Sequence, residues 1–244
     1  MEEGSEVPPP EAGAGGSSAR LCALVLVSPE SAFRVIAARP VVALALILLV
    51  LAGALAVGIG FSKVSPEDYL RSIEDSGSEV PPQFREEPER MMSLVRWSSV
   101  ASALLFAPLV YFAVAGIFLV VFRLLGSEID YRRSLSVTLH GLLPLGVAAL
   151  VGIVIALARD QVSLQELQGG GLVMSNLGFL AGEETSKAAR ALLTSVDLFS
   201  FWSIALLGLG YRLVARVSPG AAWSAVGVVW ALGVALKVAL AAAF

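Results

Sequence analysis

The chain of 244 residues alternates between long uncharged apolar stretches and segments that hold its charged residues. A helix that crosses a membrane needs about 20 apolar residues, because the hydrocarbon core is ~30 Å thick and each helical residue rises ~1.5 Å. Four stretches reach this length, at residues 41–62, 97–122, 134–158 and 217–236. Each of them is predicted to be a membrane-spanning helix.

A shorter uncharged stretch lies at residues 198–211, between Asp197 and Arg212. It is long enough to cross if the Arg212 side chain extends to the interface, where long basic side chains place their charge. The pattern therefore predicts an all-α integral membrane protein with five transmembrane helices, at approximately 41–62, 98–122, 135–158, 196–216 and 220–243. The apolar segment 172–182 is too short to cross and is predicted to be interfacial or re-entrant.

An amphipathic helix is predicted before the first span. Residues 28–30 read Ser-Pro-Glu, which is typical of a helix start, because serine caps the first turn, proline suits its first position and an acid suits the positive end of the dipole. Phe33 and Ile36 then fall on one face, and Arg34 and Arg39 can reach lipid headgroups. We expect this N-terminal helix to lie in the interface, with its apolar face wedged into one leaflet.

Two further patterns concern how the spans bend and pack. Pro108 and Pro144 predict kinks in the second and third spans, because proline leaves a backbone carbonyl without its helical partner. Alanines recur at every fourth position of the last span, at Ala231, Ala235, Ala239 and Ala243. Such stripes let a neighbouring helix approach closely, so this face is predicted to be a packing face.

The distribution of charge predicts the orientation. Residues 1–19 are rich in Glu, Pro, Gly and Ser, and are predicted to be a disordered tail ahead of a membrane domain at 20–244. With a cytoplasmic N-terminus, the inside segments and the outside loops each hold eight Lys and Arg, and the outside loops hold thirteen of the twenty acids. The inside basic residues are concentrated in short segments near span ends, which is typical of cytoplasmic loops. We therefore expect the N-terminus to be cytoplasmic.

Composition excludes several classes of function. Hydrophobic residues make up 57% of the chain and charged residues 15%, with a net charge of −3, so the basic excess that binds nucleic acid is missing. One cysteine and one histidine are too few for a His/Cys metal site, and motifs such as His-Glu-x-x-His and Gly-x-Ser-x-Gly are absent. We expect no cofactor, no nucleic-acid partner and no enzymatic activity. The expected partners are the lipid bilayer and other membrane proteins or a second copy.

Three ionisable residues in or beside the spans are candidates for an intramembrane polar site: Asp197, Lys237 and His140. Asp197 either binds a cation, relays protons or pairs with a basic residue, or it caps the fourth span. His140 is either a proton relay or an unpartnered interfacial histidine. Lys237 either extends to the outer interface or forms a buried pair with Asp197.

Several motifs occur together within residues 20–244. They are Ser28-Pro29 followed by Phe33, Ile36 and Pro40, a long loop after the first of five spans, and the run Leu192-Leu193-Thr194-Ser195-Val196-Asp197-Leu198-Phe199 followed by Trp202 and Leu206-Leu207-Gly208-Leu209-Gly210. Together they resemble the Yip (Ypt/Rab-interacting protein) superfamily in its prokaryotic form. The resemblance implies the fold and a location in a prokaryotic cytoplasmic (inner) membrane. Eukaryotic relatives bind prenylated Rab-type GTPases and influence vesicle formation or membrane shape.

Two functions are compatible with these patterns. The first is a non-enzymatic scaffold or adaptor that affects membrane organisation or protein trafficking. The alternative is a small transporter or channel subunit with an ionisable site near Asp197. The spans hold few polar residues, and a transport path requires them, so the scaffold is the favoured hypothesis.

Overall fold

The computed structural model describes residues 14–75, 77–169, 172–182 and 184–243, and within these ranges the chain forms helices and no β-strand. The helices described are α1 (Ala14–Val27), α2 (Pro29–Ala38), α3 (Ala43–Phe61), α4 (Pro66–Asp75), α5 (Pro82–Glu86), α6 (Pro88–Leu124), α7 (Tyr131–Gly141), α8 (Leu143–Leu157), α9 (Leu164–Gly169), α10 (Lys187–Ser195), α11 (Leu198–Val214) and α12 (Pro219–Ala243), with a 3₁₀ helix at Leu177–Leu180. Residues 1–13 of the predicted tail lie outside the described residues.

Four helices in the described ranges are long and apolar enough to cross a membrane: α3, α6, the joined α7 and α8, and α12. They correspond to the first, second, third and fifth predicted spans. The fourth predicted span corresponds to α11, which has 17 residues. At ~1.5 Å per residue this is about 25 Å, shorter than the ~30 Å hydrocarbon core. The described part of the chain thus contains four helices of full spanning length.

The two prolines within the predicted spans have different effects. Pro144 lies at the start of α8, and the helix is interrupted at Leu142 just before it. Proline cannot donate a backbone hydrogen bond and its ring crowds the preceding turn, which accounts for the break. Pro108 lies inside α6, which continues through it without interruption.

The two ends of the molecule are formed by different connections. At the first end, Ser127 Oγ donates to the Ala215 carbonyl at 2.7 Å, so the loops that follow α6 and α11 meet there. At the second end, Val162 N donates to the Lys63 carbonyl at 2.9 Å, and α9 packs against α3, α4 and α10. Because α10 leads directly into α11, that helix runs from the second end to the first.

The hydrophobic core surrounds α11, which packs against α2, α7, α8 and α12. Two glycines permit these contacts. A Cβ at Gly210 would lie 2.7 Å from the Phe33 ring, and one at Gly208 would lie 2.8 Å from the Trp223 ring. Carbon atoms at ordinary van der Waals contact are ~3.5–4.0 Å apart. The Gly-Leu-Gly sequence of α11 is therefore required for this packing.

A fully buried tyrosine lies at the centre of this core. The Tyr211 ring stacks on Phe122 with the ring centroids 4.4 Å apart. Its hydroxyl oxygen lies 2.8 Å from both Ser134 Oγ and Thr138 Oγ1. A buried hydroxyl needs such partners, because water cannot reach it. The network therefore ties α11 to α7.

The position of α2 corrects the predicted membrane wedge. Phe33 and Ile36 are 0% exposed, and they belong to the core around α11. The Arg133 guanidinium also donates from Nε to the Ala37 carbonyl at 3.0 Å, which holds the end of α2 against α7. The apolar face of α2 is thus covered by protein rather than presented to a leaflet, because the missing side chain at Gly210 leaves room for the Phe33 ring.

Candidate functional site

A cavity of about 380 Å³ lies among α6, α8, α11 and α12, with α10 at its mouth. It is termed the α11–α12 cavity below. Its polar lining residues are Thr194, Ser195, Asp197, Ser200, Ser203 and Lys237. The remaining lining is apolar and includes Phe118, Leu142, Leu207, Val226 and Trp230. The cavity thus joins a polar mouth at the second end to an apolar interior.

Asp197 caps α11 at this mouth. One carboxylate oxygen accepts hydrogen bonds from the backbone N–H groups of Phe199 and Ser200, at 2.9 and 3.0 Å. The other accepts from the Ser200 hydroxyl. Of the alternatives stated above, the helix cap is the arrangement observed. It provides hydrogen-bond acceptors for the N–H groups of the first turn and places a carboxylate at the positive end of the helix dipole.

Lys237 reaches the same mouth from α12. Its ammonium donates to Thr194 Oγ1 at 3.0 Å and to Ser195 Oγ at 3.1 Å. Among the residues described, no carboxylate lies within 4.0 Å of it, so the pair with Asp197, one of the two alternatives stated above, is not the arrangement observed. The two charges line one cavity without contact, because Asp197 is directed at the backbone of its own helix.

Ser203 lines the cavity further along α11 and is not among the residues predicted from the sequence. The residue is 3% exposed, and its hydroxyl has no hydrogen-bond partner within the described part of the chain. The available signal was a spacing of three. Asp197, Ser200 and Ser203 follow one another at this spacing, which places them on one face of a helix.

His140 lies apart from this site. It is 1% exposed, near the junction of α7 and α8, and does not line the α11–α12 cavity. Its Nδ1 lies 2.8 Å from the Ser136 carbonyl and its Nε2 lies 3.9 Å from Cys22 Sγ. The histidine is therefore buried and partnered, which corrects the interfacial position without a partner. The three candidate ionisable residues do not converge on one cavity.

The remaining predicted site residues belong to α2 and its C-cap. Phe33 and Ile36 are buried as described above, whereas Arg34 and Arg39 are exposed. Arg34 donates to Glu30 at 2.7 Å across one turn of the helix. The hydrogen bond from Arg34 and the positive charge of its guanidinium hold the pKa of the Glu30 carboxyl below its usual value. The polar face of α2 is therefore directed outward.

Comparison with known protein families places this cavity within a recognised domain. The family model of the Yip1 domain matches residues 23–240. The match includes α2, α11 and the three candidate ionisable residues. No match was found among curated proteins or among solved structures.

Proposed function

Since the chain belongs to the Yip1 domain family, we propose that it is a non-enzymatic multi-pass membrane protein that acts as a scaffold or adaptor in membrane organisation or protein trafficking. The observation that carries this proposal is that the buried polar side chains of the protein are engaged in hydrogen bonds. In the ranges described, buried polar side chains other than Ser203 make hydrogen bonds within the chain, and those of Ser134, Ser136 and Thr138 join separate segments. Groups that are engaged in this way are not free to conduct a solute.

The outer helix faces support the same proposal. Only 11% of the apolar window of α6, and 11% of that of α12, is buried inside the chain. The alanine stripe of α12 is exposed along its length, at Ala231, Ala235, Ala239 and Ala243. Stripes of small residues promote contact between helices in lipid. These faces are suited to membrane-protein partners or to a second copy.

We further propose that α11 crosses the membrane as a fifth span. It runs between the two ends of the molecule, Asp197 caps its start, and Arg212 lies in its last turn. Arg212 is exposed and can extend its charge beyond the last turn.

We also propose that the first end of the molecule faces the cytoplasm, and two features support this orientation. The short connections at 123–133 and 212–220 are rich in arginine, and α2 presents Arg34 and Arg39 beside them. The membrane is proposed to be a prokaryotic inner membrane.

Cysteine accessibility tests this topology. Cys22 is replaced by serine, and single cysteines are placed at the exposed positions Glu128, Glu184 and Ser218. An impermeant maleimide applied to intact cells should label only Glu184→Cys. If α11 does not cross, Glu184→Cys and Ser218→Cys will be labelled alike. Labelling of Glu128→Cys and Ser218→Cys alone would reverse the proposed orientation.

Photo-crosslinking in native membranes tests the adaptor role. A benzophenone amino acid is placed at Leu232 or Leu236, which are 64% and 62% exposed on α12, and at the buried Leu206 as the matched control. Discrete protein adducts are expected from the two α12 positions, including an adduct of two chains if the partner is a second copy. Adducts with lipid alone at both positions would contradict an adaptor that uses this face.

The transporter or channel alternative rests on the presence of Asp197 and Lys237 in one cavity. Its test is ion flux in proteoliposomes. We expect no flux above that of empty vesicles. A flux that is lost in Asp197→Asn and Lys237→Met, but retained in Lys63→Met outside the cavity, would replace the scaffold by the transporter.

A further inference from the structure

We propose that the α11–α12 cavity binds a phospholipid with an anionic headgroup. Its phosphate would lie on Lys237, one ester carbonyl on Ser203, and an acyl chain would follow the apolar interior. The inference goes beyond the scaffold role and does not depend on it. It rests on a positioned cation, an unpartnered buried hydroxyl and an apolar channel in one cavity.

The ammonium of Lys237 is held in place at the mouth. Thr194 Oγ1 and Ser195 Oγ each donate to the Ala191 carbonyl, at 3.2 and 2.7 Å. Their oxygens therefore act as acceptors for Lys237, and they use two of its three N–H donors. The third donor and the positive charge are suited to a phosphate oxygen, because a hydrogen bond between two charged groups is stronger than one between neutral groups. Asp197 lines the same mouth, but its carboxylate accepts from the first turn of α11 and takes none of the three ammonium donors.

The interior of the cavity suits an alkyl chain. Lys237 and Val226 lie eleven positions apart on α12, which corresponds to about 16 Å along a helix. Phe118 and Leu207 line the interior, and the volume of about 380 Å³ lies in the ~300–1,000 Å³ range of ligand cavities. Leu145 and Gly233, which also line it, are exposed on the outside of the helices. A lipid can therefore enter sideways from the bilayer.

Ser203 distinguishes a phospholipid from a fatty acid. It lies five positions beyond Leu198, the first residue of α11, so it is about 7 Å deeper than the mouth. A buried hydroxyl without a partner is costly, and the missing partner here is a hydrogen-bond acceptor within the cavity. A phospholipid carries ester carbonyls below its phosphate, whereas a fatty acid has no polar group below its carboxylate.

Trp230 provides a reporter, because it lines the cavity. The full chain carries Trp97→Phe, Trp202→Phe and Trp223→Phe, and is reconstituted in vesicles with lipids brominated on their acyl chains, which quench a nearby indole. Brominated phosphatidylglycerol should quench Trp230 with about fivefold higher apparent affinity than brominated phosphatidylcholine, which is the effect of one lysine on an anionic lipid. Equal quenching by the two lipids would overturn the proposal.

The headgroup contact is tested by removing the charge. Lys237→Met should abolish the fivefold preference, whereas Lys63→Met, at the same end but outside the cavity, should retain it. Retention of the preference in Lys237→Met would exclude Lys237 as the headgroup site.

A pair of glycines on α12 tests the acyl-chain path independently, even if Lys237→Met does not fold. Cβ atoms at Gly233 and at Gly227 would each meet nothing within 4 Å, but only Gly233 lines the cavity. Gly233→Leu should therefore fill the channel and eliminate quenching by both lipids, and Gly227→Leu should not. Equal quenching in the two variants would show that the chain lies elsewhere.

Ser203→Ala tests the choice of lipid. It should weaken quenching by brominated phosphatidylglycerol and leave quenching by a brominated fatty acid unchanged. The variant should also be more stable in lipid-free detergent, since it removes an unpaired polar group. The assignment of a phospholipid would be overturned if the brominated fatty acid quenched Trp230 in a manner that depends on Lys237 and brominated phosphatidylglycerol did not.

Discussion

The only cysteine and the only histidine of the chain contact each other inside the helix bundle: Cys22 Sγ lies 3.9 Å from His140 Nε2. The other ring nitrogen, Nδ1, lies 2.8 Å from the Ser136 carbonyl. A carbonyl only accepts, so Nδ1 carries the proton and Nε2 is left as an acceptor. The thiol therefore donates to the imidazole and ties α1 to α7.

The reactivity of Cys22 tests this contact. The thiol is 7% exposed, so we expect it to resist maleimide in the folded, detergent-solubilised protein. His140→Leu removes its acceptor, and the net contribution of a buried hydrogen bond is about 0.5–1.5 kcal/mol. The labelling rate should then rise by up to about tenfold. Lys63→Met is the control and should leave the rate unchanged. Rapid labelling of the unmodified protein would contradict the packing of α1.

A second prediction concerns the hydroxyl of Tyr211. Tyr211→Phe keeps the ring stacked on Phe122 but leaves Thr138 and Ser134 without this partner. We expect the free energy of unfolding in detergent to fall by about 1–3 kcal/mol, the cost of an unsatisfied buried polar group. Tyr131→Phe is the matched control, because that hydroxyl is on an exposed residue and bonds only to a carbonyl. It should change stability by less than about 0.5 kcal/mol. Equal losses in the two variants would show that the Tyr211 network is not a source of stability.

The sequence predicted the features that are determined locally. The long uncharged stretches correspond to α3, α6, α7–α8 and α12, since membrane crossing depends on length and composition within one segment. The Asp197 cap also depends only on the residues that follow it. The helix α11 itself ends at Val214, and Arg216 just beyond it takes a left-handed backbone with a φ of 55°.

Contacts between distant segments could not be predicted in the same way. Phe33 packs on Gly210, and Lys237 bonds to Thr194 and Ser195, only because of how the helices are rotated against one another. A hydrophobic face suits lipid and protein equally well, so the pattern of α2 does not reveal which one covers it. The predicted wedge was wrong for this reason, because Phe33 and Ile36 are covered by protein.

A third prediction concerns the docking of α2 on α11. Gly210→Ala places a methyl group 2.7 Å from the Phe33 ring and 2.9 Å from Val137. Overpacking of this kind costs about 1–3 kcal/mol, and we expect it to loosen α2. Hydrogen exchange of residues 29–38 should become faster.

Gly227→Ala is the control for this variant, because a Cβ there meets nothing within 4 Å. Alanine is favoured over glycine in a helix by about 1 kcal/mol, so this variant should be neutral or more stable, with unchanged exchange in α2. If both variants accelerate exchange in α2, the close approach at Gly210 does not hold that helix.

The last prediction is an acid dependence that arises at the first end of the molecule. Asp130 caps α7, and its partial burial raises the pKa of its carboxyl, but the backbone N–H and the guanidinium of Arg133 lower it by more. Its pKa in the folded protein is therefore below the ordinary value. A carboxyl with a depressed pKa stabilises the fold above its unfolded pKa, about 4, and this stabilisation is lost as the pH falls through the lower folded value. The melting temperature should therefore decrease as the pH is lowered below about 4.

The variant Asp130→Asn keeps a capping side chain without the charge. Its melting temperature should be lower than that of the unmodified protein at pH 7, and the two should converge in acid. A constant difference between the two proteins from pH 7 to pH 3 would show that the Asp130 charge does not stabilise α7.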